Sequence, residues 1–151
     1  MNSDNVNSGI LDTCQTGGWL ESSHVETNRS KSYDRELSEV LEDLIRITGT
    51  EEVMRQTVFS VLGRFGMTSW GAERDSISFW CNGIDAKFCW DVSTNPINRL
   101  APPVCTMSVK MRDHNESRAF YGCVVAGVND CGREIITRTV QSLIYEATEA
   151  S

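Results

Sequence analysis

No run of eighteen apolar residues occurs in this chain, so no segment is expected to insert in a membrane. No excess of basic charge occurs either: 14 Lys and Arg stand against 21 Asp and Glu, a net charge of −7. Nucleic acids and anionic membrane surfaces attract basic patches, so this balance argues against both as partners. Histidine is scarce, with only His24 and His114, and none of the six cysteines stands in a C-x-x-C pair. No zinc or other metal site is expected, and no cofactor. Phosphate-cradling patterns of the form G-x-G-x-x-G or G-x-x-x-x-G-K are missing. Neither histidine stands beside an elbow-type serine, so no hydrolase triad and no catalytic residues are expected. Met1 to Ile10 has neither the basic nor the apolar segment of a secretory signal, so the expected compartment is the reducing cytoplasm. There most of the cysteines are expected to act as small buried hydrophobes.

What is present begins with a hairpin. Asn82-Gly83 is the strongest two-residue turn signal, because both central positions of a type I′ turn need φ > 0. With the turn there, Cys81 faces Ile84, Phe79 faces Ala86 and Ile77 faces Phe88. That register collects Ile77, Phe79, Cys81, Ile84, Ala86, Phe88 and Trp90 on one face. Ser76, Ser78, Trp80, Asp85, Lys87, Cys89 and Asp91 fall on the other.

Around the hairpin the chain divides into two regions. Residues 1–33 are polar, with two isolated apolar pairs, Ile10-Leu11 and Trp19-Leu20, and read as a disordered tail. Trp19-Leu20 could also dock on the domain or a partner. Residues 34–151 form one α+β domain. A helix over Asp34–Thr48 carries Leu37, Val40, Leu41, Leu44 and Ile45 at helical spacing and ends at Gly49. Thr50 caps a second helix that buries Val53, Met54, Val58, Val61, Leu62 and Phe65 and stops at Gly66; one bent helix is the alternative. Strands follow over Met67–Glu73, the hairpin, Val104–Met111 and Arg118–Val128. Val92–Pro103 reads as a loop anchored by Ile97 and Leu100. Gly122 and Gly127 suggest a bulge or a close backbone approach in the last strand. A final helix spans about residues 132–148. The expected architecture is a five-stranded antiparallel sheet, with a sixth strand as an option, and N- and C-terminal helices packed on one face.

The open face of that sheet is where a ligand site is expected. Trp80 falls there, near Asp85, Lys87 and Cys89, although the helix packing does not require a large aromatic residue on that side. The alternative is that loop 92–103 folds over Trp80 and makes a second small core. Thiol chemistry is the one enzymatic idea the residues offer. Cys131 stands at a helix start beside Arg133, and Cys89 stands near Lys87.

The closing passage Phe120-Tyr121-Gly122-Cys123-Val124-Val125, then Arg133-Glu134-Ile135-Ile136 and Leu143-Ile144-Tyr145-Glu146-Ala147, resembles the end of a short GAF-like sensor domain. The helix end Phe65-Gly66 and the strand Phe88-Cys89-Trp90 add to the resemblance, which covers roughly Leu37 to Ala150. It implies a GAF/profilin-like fold and a non-enzymatic regulatory or signalling module. Such a module binds a small molecule, or pairs with a protein partner or with itself as a homodimer through its helices. The N-K-x-x-x-F-x-x-x-D pattern of cyclic-nucleotide-binding members is absent, as is a bilin-attachment cysteine followed by histidine. The glycine- and cysteine-rich motif of the GAF-type methionine sulfoxide reductases is absent too. Size, acidity and the helix end Leu62-Gly63-Arg64-Phe65-Gly66 also resemble type III secretion chaperones, which would imply effector binding. A thiol-dependent reductase is the third reading.

Overall fold

A computed structural model describes residues 21–151 of the chain. Residues 1–20, with Cys14 and the Trp19-Leu20 pair expected to stay disordered or to dock, lie outside the described residues. The elements run α1 (Glu21–Arg64), β1 (Ser69–Glu73), β2 (Ser76–Cys81), β3 (Ile84–Ser93), β4 (Val104–Arg112), β5 (Ser117–Val125) and α2 (Asp130–Ala150). The chain divides into two units, Met1–Glu42 and Asp43–Ser151. In the first, helix α1 begins at Glu21, inside the stretch read as tail. In the second, the five strands form one antiparallel meander in chain order β1-β2-β3-β4-β5. The fold class is α+β, as the change of period after Gly66 predicts.

The helix does not break at Gly49-Thr50. Thr50 is buried, and its hydroxyl donates to the Arg46 carbonyl at 2.9 Å, one turn back, instead of capping a new helix. A methyl on Gly49 would stand 3.4 Å from Val128 Cγ1, an ordinary contact, so no close approach requires glycine there. The expected stop at Gly66 is real. Gly66 has φ 71, its N–H bonds to Gly63 O, and Met67 N–H bonds to Leu62 O at 2.9 Å. That pair of reversed bonds is a Schellman ending, which favours glycine at the left-handed position.

The core forms from α1 residues Val53, Met54, Val58, Val61 and Leu62, from α2 residues Ile136, Val140, Leu143 and Ile144, and from the inner faces of the strands. Ile77, Phe79, Phe88 and Trp90 of the hairpin are buried there. Arg55 anchors the helix to the strands. Its guanidinium donates to Glu73 O at 2.9 Å and to Arg74 O, and lies 5.6 Å from the centroid of the Trp90 ring.

Three expectations about the strands change. β3 continues to Ser93, because Val92 pairs with Cys105 and is buried; the loop is shorter than predicted. Ile97 and Leu100 do not anchor it, being 94% and 67% exposed. Polar contacts hold it instead. Asn95 Oδ1 accepts from the N–H groups of Ile97 and Asn98, its amide donates to Pro102 O, and Arg99 reaches Asp43 Oδ1 at 2.9 Å.

β5 ends at Val125, so Gly127 lies beyond it. Its pairing with β4 runs without a register shift, and the sheet's irregularity falls between Ser69 and Gly71 of β1. Gly122 is a close approach rather than a bulge: a methyl there would stand 3.0 Å from Thr139 Cγ2 and 3.3 Å from Leu143 Cδ1 of α2. Helix α2 starts at Asp130, where Asn129 Oδ1 accepts from Gly132 N–H at 2.7 Å. No helix among the described residues is long and apolar enough to cross a membrane.

Candidate functional site

The hairpin forms with the register expected of its turn. Asn82 and Gly83 take φ 53 and 83, and Ile77, Phe79 and Cys81 stand opposite Phe88, Ala86 and Ile84. The Asn82 amide donates to Thr148 O at 3.3 Å and to Ser151 Oγ at 2.6 Å, tying the turn to the end of α2. Strand alternation then sends Trp80, Asp85, Lys87 and Cys89 to the face away from the core.

Trp80 is not covered by loop 92–103: it is 47% exposed. Its neighbour is Trp70 of β1, with ring centroids 6.2 Å apart and planes tilted by 35°. The irregular register between Ser69 and Gly71 is what brings Trp70 to this side.

β3 pairs with β4 so that Lys87 stands opposite Lys110 and Asp85 opposite Arg112. β4 pairs with β5 so that Lys110 stands opposite Ala119 and Ser108 opposite Tyr121. The result is a hollow of about 680 Å³ on the sheet, lined by Trp70, Glu73, Asp85, Lys87, Lys110, Arg112, Arg118 and Tyr121 among others. Its lining carries four basic side chains (Lys87, Lys110, Arg112, Arg118) against two acidic ones (Glu73, Asp85), in a chain of net charge −7.

Two of the basic groups are engaged. Lys87 Nζ is 3.8 Å from Glu73 Oε1, and Glu73 also accepts from Ser76 Oγ at 3.3 Å. Arg118 points to the end of α2, donating to Ala150 O and to Glu116 Oε1. Lys110 and Arg112 make no ion pair or side-chain hydrogen bond among the described residues.

Of the residues expected here, Asp85 and Lys87 line the hollow. Trp80 stands beside it through Trp70. Cys89 does not join them: it lines a separate hollow of about 220 Å³ with Asp91, Thr106, Ser108 and Tyr121. Trp70, Lys110, Arg112 and Tyr121 were not anticipated. The alternation of Thr106, Ser108 and Lys110 was visible. The β3–β4 register that sets Lys110 against Lys87 was not, because a ten-residue loop, 94–103, joins those strands.

The cysteines of the described residues, Cys81, Cys89, Cys105, Cys123 and Cys131, are all free. Burial pushes the Cys105 thiol from the usual 9.0 up to about 11. Neighbouring Cys123 adds to that rise, and backbone hydrogen bonding at Ala126 opposes it. Cys105 is the opposite of an activated nucleophile. Among the described residues no three of His, Cys, Asp and Glu gather as a metal-ligand group.

No family model, curated protein or solved structure matches this chain. The resemblances to GAF-like domains and to secretion chaperones therefore rest on sequence patterns alone.

Proposed function

We propose that this chain is a non-enzymatic regulatory module that holds a small anionic, ring-bearing molecule on the open face of its sheet. The observation that carries the reading is the pairing of Lys87 with Lys110 across β3 and β4. Like charges directly opposite on neighbouring strands are destabilising. Glu73 answers Lys87 alone, at 3.8 Å, and leaves Lys110 without a counter-charge among the described residues. A phosphate or carboxylate between the two ammonium groups would convert that cost into charge-assisted hydrogen bonds. Trp70, Trp80 and Tyr121 supply exposed aromatic surface around the same hollow, suited to a planar ring. Its volume, about 680 Å³, falls in the range of small-molecule sites. The free state of all five cysteines among the described residues fits a reducing compartment such as the cytoplasm. A GAF-like sensor is the family reading to which this proposal belongs.

The test uses 1-naphthyl phosphate as probe, with inorganic phosphate and 1-naphthol as its separated halves. The indole N–H signals of Trp70 and Trp80 are followed by NMR, assigned with Trp→Phe variants. Saturable shifts with 1-naphthyl phosphate at millimolar concentration or below, weakened at least tenfold in Lys110→Glu, support the reading. No shift of either indole overturns it, and so does equal binding by 1-naphthol, which would mean that the cationic pair plays no part.

A further inference from the structure

We infer that Ser78 selects the occupant of the open-face hollow, a phosphate monoester in preference to a carboxylate, an assignment that rests on the hollow being an anion site. The strand registers place one row of residues across the whole sheet. Gly71 of β1 stands opposite Ser78 of β2, Ser78 opposite Lys87 of β3, Lys87 opposite Lys110 of β4, and Lys110 opposite Ala119 of β5. All five line the hollow. The row is small at both ends and cationic at its centre.

The fold makes no use of the Ser78 hydroxyl. Ser78 is only 9% exposed, yet its hydroxyl makes no hydrogen bond among the described residues. Buried hydroxyls are normally paired, because a donor taken from water without a partner loses its hydration for nothing. Ser76, the next residue on that face of β2, follows the rule: it is buried, and its hydroxyl donates to Glu73 Oε1 at 3.3 Å. Among the described residues the unpartnered polar atom sealed from solvent is Trp90 Nε1. The Ser78 hydroxyl is unpartnered without being sealed, so it opens into the hollow that Ser78 lines. Gly71 keeps the β1 side of it clear, since a methyl there would already stand 3.8 Å from Ser78 Cβ.

The Lys87 ammonium lies on the Ser78 side of its own strand. Its contact with Glu73 joins β3 to β1 across β2, the strand that carries Ser78. An anion that meets Lys87 therefore comes within reach of the Ser78 hydroxyl, with Lys110 on the far side. Glu73 is a weak competitor, because its side chain is exposed and a surface ion pair is worth little. Three donors then converge from three adjacent strands. A phosphate monoester presents three terminal oxygens and a charge of about −1.5 to −2 at neutral pH. That is one oxygen for each donor and nearly one charge for each lysine. A carboxylate presents two oxygens and a single charge, and leaves one donor unmatched.

The test compares 1-naphthyl phosphate with 1-naphthoate, which share a ring and differ in the anion. Each is titrated into the full chain with the Trp70 and Trp80 indole N–H signals as readout. The wild-type chain should bind the phosphate at least about tenfold more tightly. Ser78→Ala removes the hydroxyl and little else. It should lower the affinity for the phosphate about tenfold and that for the carboxylate less than about threefold, so that the preference collapses. Ser108 is equally buried, with a hydroxyl that is also unpaired among the described residues, but it stands opposite Cys89 and Tyr121 and lines the smaller hollow. Ser108→Ala should change neither affinity. Equal binding of the two probes by the wild type overturns the inference and leaves the anion site standing. The same holds if Ser78→Ala weakens both probes alike or neither, as a purely structural serine would. Binding of neither probe removes the anion site and the role of Ser78 together.

Discussion

Gly132, in the first turn of α2, meets the backbone of Gly127 so closely that a methyl group in its place would lie 2.3 Å from the Gly127 carbonyl oxygen and 2.7 Å from its nitrogen. Both obstructing atoms belong to the main chain, so no side-chain rotation relieves the clash. Gly132→Ala should cost about 2–4 kcal/mol, read as a lower urea midpoint with little change in slope. Gly63, near the end of α1, has nothing within 4 Å of the same methyl position. Gly63→Ala should stabilise by about 0.5–1 kcal/mol, because it removes backbone entropy from the unfolded chain at no steric cost.

Lys110→Glu separates folding from binding. It replaces a like-charge pair opposite Lys87 by an opposite-charge pair, so stability should rise by about 0.2–1 kcal/mol. The same substitution should abolish binding of 1-naphthyl phosphate. Raising the salt concentration to about 1 M should erase most of the stability gain, since these charges face solvent. A variant that lost stability would show that the two ammonium groups do not repel in the native protein.

The Cys105 thiol makes stability fall at high pH. Its folded value of about 11 lies above the usual 9.0, so the unfolded chain gives up this proton first as pH rises. Its contribution is fully present below pH 9 and is lost progressively between 9 and about 11. Lysines and tyrosines titrate in the same range, so the comparison is with Cys105→Ala, whose stability should decline less steeply there. In native alkylation read by mass spectrometry, exposed Cys123 and Cys131 should react at pH 8 while buried Cys81 and Cys105 stay unmodified.

The hairpin turn can be tested at Gly83, whose φ of 83 favours glycine. Gly83→Ala should cost about 1–2 kcal/mol through backbone strain alone, since a methyl there meets nothing within 4 Å. Asn82→Ala should cost at least as much. It loses tolerance of positive φ together with the hydrogen bonds to Thr148 O and Ser151 Oγ.

The sequence by itself determined what depends on neighbours a few residues apart. A two-residue Asn82-Gly83 turn leaves one register, and a period of two then assigns every hairpin side chain to a face, so Ile77 through Trp90 could be sorted without coordinates. The apolar stripes of α1 and α2 and the helix stop at Gly66 are local in the same sense. Only the tertiary structure decided what depends on distant segments. Whether α1 breaks at Gly49-Thr50 turned on the burial of Thr50, which propensity does not report. How β3 meets β4 across a ten-residue loop fixed Lys110 opposite Lys87, and a one-residue slip would have sent Lys110 to the core side. The placement of Trp70 beside Trp80 came from a register shift in β1. The candidate site therefore appeared in the sequence as half of one strand pair, because its other half comes from strands whose register no local turn dictates.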